Sequence, residues 1–226
     1  MMRSPNFGAR RDGLTPVLVV LHYTAMASCE AALRALCDPE RAVSAHYLIS
    51  ETGQVLALVD EDKRAWHAGA GQWAGAGDVN SRSIGIELAN NGATPFSAPQ
   101  MDALEGLLAE ILPRWHIPPQ GVIAHSDMAP GRKIDPGPRF DWRRLAAAGL
   151  SVWPGSDTGP GISPDPAAFA VQTTRFGYPD CPEDLLLDTM RLRFRPWARG
   201  PLDGTDMALI TDLATRYGVD RGATTA

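Results

Sequence analysis

Val17-Leu18-Val19-Val20-Leu21-His22-Tyr23-Thr24 joins a short run of β-branched and leucine residues to a polar end. That pattern reads as a buried strand, and a histidine closing it stands at the rim of the sheet. The segments that follow alternate in type. Ser28 caps a predicted helix reaching about Cys37, with Leu33, Leu36 and Cys37 on one face and Asp38-Pro39 closing it. Residues 45–50 and 54–59 are two strand-like runs joined by Glu51-Thr52-Gly53, the spacing of a hairpin. Residues 68–77, rich in Gly and Ala, are expected to be irregular. From Ser83 to Ala89, Ile84, Ile86 and Leu88 alternate with Ser83, Gly85 and Glu87. That is the period of a half-buried strand, with Glu87 opposite the isoleucines. Ser97-Ala98-Pro99-Gln100 opens a helix carrying Leu104, Leu107, Leu108, Ile111 and Leu112. Residues 121–125 form another short strand, ended by His125 and followed by a polar loop, 126–139, and a helix over 140–148. Strands alternating with helices predict an α/β domain over 1–150. Residues 151–165 read as a Gly/Pro/Ser/Asp linker, and 166–226 as a small three-helix module.

Composition narrows the function classes. The chain has 226 residues, 44% hydrophobic and 21% charged, with a formal net charge of −5. These fractions suit a folded globular chain rather than a disordered one. The acidic balance argues against nucleic acid as the partner, which draws on clustered Lys and Arg. The longest apolar run, Val17 to Leu21, is far short of the roughly 20 residues that span a bilayer. The first residues show no apolar segment of secretory type. Cys29 and Cys37 share the predicted helix at a separation of about 12 Å along its axis. A disulfide needs Cα atoms within about 7 Å, so these thiols are expected to be free.

Two of the five histidines, His22 and His125, each close a predicted strand, where strand ends can converge on one ligand. Asp135 lies ten positions beyond His125 and is followed by Pro136-Gly137, which would hold its carboxylate in a fixed turn. Two imidazoles and one carboxylate with an open fourth position make a catalytic zinc set. Spacing alone leaves the alternative that each is a satisfied polar residue, because no compact His-x-x-x-His is present.

Six motifs follow one another in order: Val20-Leu21-His22-Tyr23-Thr24, Ser44-Ala45-His46-Tyr47-Leu48-Ile49, Ala65-Trp66-His67-Ala68-Gly69, Ser83-Ile84-Gly85-Ile86-Glu87-Leu88, Gly121-Val122-Ile123-Ala124-His125-Ser126-Asp127 and Arg132-Lys133-Ile134-Asp135-Pro136-Gly137. Over residues 10–147 the chain resembles the zinc N-acetylmuramoyl-L-alanine amidases of the AmpD and AmiD type, relatives of the peptidoglycan recognition proteins. The resemblance implies a mixed central β-sheet flanked by helices. It implies Zn2+ held by His22, His125 and Asp135, Glu87 as the catalytic carboxylate, and Lys133 beside the reacting carbonyl. Arg132 is the alternative cation there. His46 either lines the cleft or packs in the core, and Trp66-His67 either stack on the sugar or pack. Asn90 is a further substrate-binding candidate, whereas His116 matches no motif and is expected to be structural. The helices of 166–226 resemble the peptidoglycan-binding module of AmiD-type enzymes, with a purely structural appendage as the alternative.

The implied function is hydrolysis of the amide between N-acetylmuramic acid, or its anhydro form, and L-alanine. The alternative is recognition of muropeptides without cleavage. The expected partners are peptidoglycan or its fragments, and the chain is expected to act as a monomer. Free thiols and the absence of a secretory pattern favour the cytoplasm; a wall-binding module would favour the envelope.

Overall fold

Leu18–Tyr23 (β2) is an interior strand of the protein's main sheet, in a computed structural model that describes residues 2–155 and 162–219. The predicted linker and helical module therefore fall partly outside the described residues, at 156–161 and 220–226. A short strand, Phe7–Ala9 (β1), precedes β2 and pairs antiparallel with Lys63–Ala65 (β5) as a separate two-stranded sheet. Neither strand is announced by the sequence pattern, since both are three-residue pieces, too short to show a period. The main sheet adds Tyr47–Ile49 (β3), Val55–Ala57 (β4), Ser83–Leu88 (β6) and Val122–Ala124 (β7) in the order β4-β3-β6-β2-β7. β3 and β4 form the predicted antiparallel hairpin, and the other neighbours run parallel.

Sequence chemistry sets the helices. In Cys29–Leu36 (α1), the Ser28 hydroxyl accepts the Ala31 N–H at 3.2 Å. A single turn, Val79–Arg82 (α2), leads directly into β6. In Ala98–Trp115 (α3), Ser97 accepts the Gln100 N–H at 3.3 Å, and His116 closes the helix in a left-handed conformation, φ 55°. The segment after β7 is not wholly loop, because His125–Met128 (α4) makes one helical turn before the irregular run to Trp142–Ala147 (α5). Three C-terminal helices follow as predicted: Pro166–Phe176 (α6), Glu183–Phe194 (α7) and Gly204–Tyr217 (α8).

The two faces of the sheet bury different partners. Val19, Leu21, Ile84, Ile86 and Val122 pack against Leu104, Leu108 and Ile111 of α3 and against Trp142 and Leu145 of α5. On the opposite face, Leu18, Val20 and Ile123 share one apolar cluster with Phe169, Phe176, Leu186, Met190, Phe194, Ile210 and Leu213 of α6, α7 and α8. The C-terminal helices thus form a layer on the sheet rather than a body hung from a linker. Each buried Phe or Leu contributes about 1.5–3 kcal/mol, so shared burial holds the helices in place whatever the linker does. A third cluster, Ala32 and Leu36 of α1 with Leu48 and Leu58, covers the far end of that face. Between the helical layer and α1 the face is left open. β6 is nevertheless buried on both faces up to Ile86, not half-buried: Ser83 and Gly85, the latter under the His67 ring, are as inaccessible as Ile84 and Ile86, and only Glu87 is partly accessible.

One shared cluster predicts one cooperative unit. Leu104→Ala in α3 and Phe169→Ala in α6, both fully buried, should each lower the same single unfolding transition by about 2–5 kcal/mol. Two resolved denaturation steps, each sensitive to one variant only, would show that the C-terminal helices unfold on their own.

Candidate active site

Strand register assembles the site. β2 and β6 pair with His22 opposite Glu87, and β2 pairs with β7 so that Leu21 stands opposite Ala124. His125 therefore leaves β7 level with His22. Side chains alternate along a strand, so all three project from the same face, in the gap between α1 and the C-terminal helices. This is the carboxyl end of parallel strands, where ligands of open α/β sheets bind. Asp135 arrives from the segment beyond α4, and the Ser126 N–H ties that segment down by donating to the Asp135 carbonyl at 3.0 Å.

The donor atoms of the three predicted metal residues converge. His22 Nδ1 and His125 Nδ1 are 2.9 Å apart, and Asp135 Oδ2 lies 3.0 Å from the first and 2.9 Å from the second. Donors about 2.0 Å from a common tetrahedral centre lie about 3.3 Å apart, so the triangle has the right size for a metal ion. The hydrogen bonds behind the triangle fit as well. His125 Nε2 can only donate to the Ala68 carbonyl, at 3.0 Å, and with the proton on that nitrogen Nδ1 offers its lone pair to the triangle. His22 Nε2 faces His67 Nδ1 at 3.0 Å, and His67 Nε2 faces Ser83 Oγ at 3.2 Å. With its proton on Nε2, His22 donates to His67, and a third lone pair points into the triangle. Ordering of a ligand imidazole through its second nitrogen is the common arrangement at metal centres. Burial, reinforced by the neighbouring His125, lowers His22 to about 4, so the ring is neutral at physiological pH. Burial pushes Asp135 up, but hydrogen bonds to His125 and His22 outweigh it and hold the carboxylate well below its usual range. Among the described residues, this is the one cluster of its kind close enough to hold an ion.

Glu87 stands beside the triangle with its Oε2 buried and without a hydrogen-bond partner. Burial, and secondarily the charge of Asp135, raises its pKa to about 8, while Lys133 opposes the shift. An orphaned buried carboxyl oxygen is costly to keep unless it serves a purpose, and perturbed carboxyls in clefts mark functional sites. Glu87, Lys133, His22, His125 and Asp135 line one open cleft of about 550 Å³.

The other predicted site residues divide. Trp66 lines the cleft wall. His67 also reaches the cleft, but both its ring nitrogens are engaged between His22 and Ser83, so its polar atoms face these two residues rather than the open cleft. Its ring lies on β6, and a Cβ at Gly85 would come within 2.4 Å of it, so the glycine is required by close approach. His46 does not line the cleft. It is fully buried, its Nδ1 accepting the Gly85 N–H at 2.9 Å and its Nε2 donating to the Lys63 carbonyl at 3.1 Å. Asn90 lies in a separate recess of about 250 Å³, where its side chain accepts the Gly92 N–H at 2.7 Å and donates to the Thr94 carbonyl at 3.2 Å. Arg132 borders the cleft, but its guanidinium donates to the Ala68 and Ala70 carbonyls, leaving Lys133 as the cation beside Glu87.

Sequence reading missed several cleft residues. Tyr23 and Thr24 continue directly from His22, and Ile134, 58% exposed, stands between Lys133 and Asp135. Their adjacency to motif residues was the available signal. Arg41, Val43 and Ser44, which also line the cleft, come from the chain between α1 and β3, and only Ser44 falls in a quoted motif.

The family described as N-acetylmuramoyl-L-alanine amidase matches residues 12–138. The N-acetylmuramoyl-L-alanine amidase AmiD of Escherichia coli (strain K12) is 34% identical over 235 residues, spanning 90% of this chain and 84% of its own. The 1,6-anhydro-N-acetylmuramyl-L-alanine amidase AmpD of Enterobacter cloacae is 35% identical over 161 residues, spanning 64% of this chain and 86% of its own. The solved complex of Escherichia coli AmiD with anhydro-N-acetylmuramic acid-L-Ala-D-γ-Glu-L-Lys superposes with a TM-score of 0.84 at 34% identity, covering 92% of this chain and 93% of that one. That match runs through the C-terminal helices as well as the sheet. Sheet topology, the levelled histidines and these matches lead to one assignment: the chain belongs to the N-acetylmuramoyl-L-alanine amidase family.

Proposed function

We propose that the protein hydrolyses the amide between the lactyl group of N-acetylmuramic acid, or its anhydro form, and the L-alanine of a stem peptide, with Zn2+ held by His22, His125 and Asp135. The observation that carries this reading is the triangle of bare donors, 2.9–3.0 Å on a side, beside the unpartnered Oε2 of Glu87. Zinc in such a set acts as a Lewis acid and lowers the pKa of bound water to about 7.

The chain's own groups supply the rest. Glu87 Oε2 takes a proton from the water whose oxygen attacks the lactyl carbonyl carbon. Lys133 faces the negative charge that then develops on the carbonyl oxygen. As the carbon–nitrogen bond breaks, Glu87 returns the proton to the leaving amine of L-alanine. A carboxyl with a pKa near the working pH serves both transfers. Trp66 on the cleft wall offers an aromatic surface to the sugar or its acetamido group. The three cysteines are free, which suits a reducing compartment. No helix among the described residues is long and apolar enough to cross a membrane.

A defined N-acetylmuramoyl tripeptide incubated with zinc-loaded protein should yield free peptide and intact sugar by mass spectrometry, and chelator should abolish the products. An intact muropeptide that stays bound to the protein would instead indicate recognition without cleavage. Glu87→Gln should keep one zinc per chain by elemental analysis, yet lose about 10²–10⁴-fold in kcat. Retention of full turnover would remove Glu87 from the chemistry.

The raised pKa of Glu87 also has a sign for stability. The folded metal-free protein binds this proton more tightly than the unfolded chain, so stability is lost as pH rises from the unfolded value of 4.5 through about 8. Metal-free Glu87→Gln should therefore gain stability over wild type across that window and level off above it, as measured by urea denaturation. An advantage that shrinks with rising pH would contradict the buried, uncompensated state of the carboxyl.

A further inference from the structure

Arg193, one residue from the end of α7, is 1% exposed and pairs with Asp127, which is 0% exposed. Its Nη1 donates to Asp127 Oδ2 at 2.5 Å, and its Nη2 donates to the Val122 carbonyl and to Ser151 Oγ, each at 3.1 Å. The guanidinium lies over the Trp142 ring, 4.1 Å from its centroid. Asp127 is two residues beyond His125, on the single turn of α4. Its Oδ2 also accepts the Ala124 N–H at 2.9 Å, and its Oδ1 accepts the Tyr178 hydroxyl at 3.0 Å. One carboxylate therefore clamps the residues on both sides of His125 and fastens them to the C-terminal helical layer. The Ser126 N–H, between the two clamped positions, donates to the Asp135 carbonyl at 3.0 Å, so the same turn also places the third metal residue.

Stability alone does not account for this pair. Breaking one partner of a buried ion pair is costly, but exchanging both for uncharged groups of similar size is often neutral or stabilising. What an apolar replacement cannot reproduce is the direction of the bonds: a forked cation that holds the Val122 carbonyl at the start of β7 and the Asp127 carboxylate of α4 at once.

We propose that Arg193, Asp127 and Tyr178 are positioning residues for the metal centre, so that the C-terminal helices brace His125 and Asp135 in addition to covering the sheet. The inference rests on the reading of His22, His125 and Asp135 as metal ligands. Its consequence is that the helical layer acts on metal affinity and turnover from beneath the site, independently of any contact with the cell wall.

The test pairs Arg193→Met with Asp127→Asn in the full chain, which removes both charges together, and adds Tyr178→Phe as a variant that loses one hydroxyl. Zinc affinity is measured by competition with a chromophoric chelator, beside thermal melting of the metal-free protein and kcat and KM on a muramoyl tripeptide. The double variant should melt close to wild type, bind zinc at least about tenfold more weakly, as outer-shell substitutions do, and lose kcat with KM little changed. Tyr178→Phe should shift zinc affinity in the same direction by a smaller factor. Folded variants with wild-type zinc affinity and kcat would overturn the brace. Where the double variant does not fold, Tyr178→Phe decides by the same measurements, unchanged zinc affinity overturning the proposal. A wild-type protein that binds no zinc would overturn the metal reading, and the brace with it, a result distinct from wild-type binding that the variants leave intact.

Discussion

The parallel pairing of β2 with β6 on one side and β7 on the other is the constraint from which the site follows. The His22–Glu87 register and the Leu21–Ala124 register put two imidazoles and a carboxyl at one level on one face. A slip of one residue would turn these side chains into the cluster beneath α3 and bring Leu21 or Ile86 to the cleft. The apolar face enforces the register: Val19, Leu21, Ile84, Ile86 and Val122 all bury against α3 and α5. Packing on one side of the sheet thereby fixes chemistry on the other.

Around that register the protein keeps His22, His46 and His67 neutral and oriented. His22, His46 and His67 are all lowered, burial being the largest cause in each. Each is tied to defined partners: His46 to the Gly85 amide and Lys63 carbonyl, His67 to His22 and Ser83. Gly85 lies at the crossing of these contacts, because its missing side chain leaves room for the His67 ring. The buried lone pairs of the triangle and the bare Oε2 of Glu87 are the expense of this arrangement, and the surrounding apolar clusters offset it.

The C-terminal helices change the meaning of the open face. On a bare sheet, Leu18, Val20 and Ile123 would be exposed next to the cleft. Beneath α6, α7 and α8 they become part of a shared core, and the Arg193–Asp127 pair links that core to the turn bearing His125. Catalytic sheet and helical layer are therefore coupled mechanically as well as by sequence.

The alternation of strand and helix, the caps at Ser28 and Ser97, the β3–β4 hairpin and the order of the motifs were all legible in the chain, because each rests on local periodicity or on short-range hydrogen bonding. The convergence of His22, His125 and Asp135 was legible as a resemblance of motifs and as a chemically sensible set of ligands. Tertiary structure decided the remainder. His46, Asn90 and Arg132 are polar residues in or near motifs, but where their side chains spend their hydrogen bonds depends on neighbours remote in sequence, as with the Gly85 amide and the Ala68 carbonyl. β1 and β5, three residues each, are too short to show a period. The linker composition at 151–165 speaks for separation, whereas burial is a property of the faces it joins. Sequence alone determined where the longer strands and helices form and which residue types can carry the chemistry, since these are set over a few neighbouring positions. Register, the layering of α6, α7 and α8 on the sheet, and the partners of each buried polar group were settled only by the fold, because each depends on surfaces that meet from distant parts of the chain.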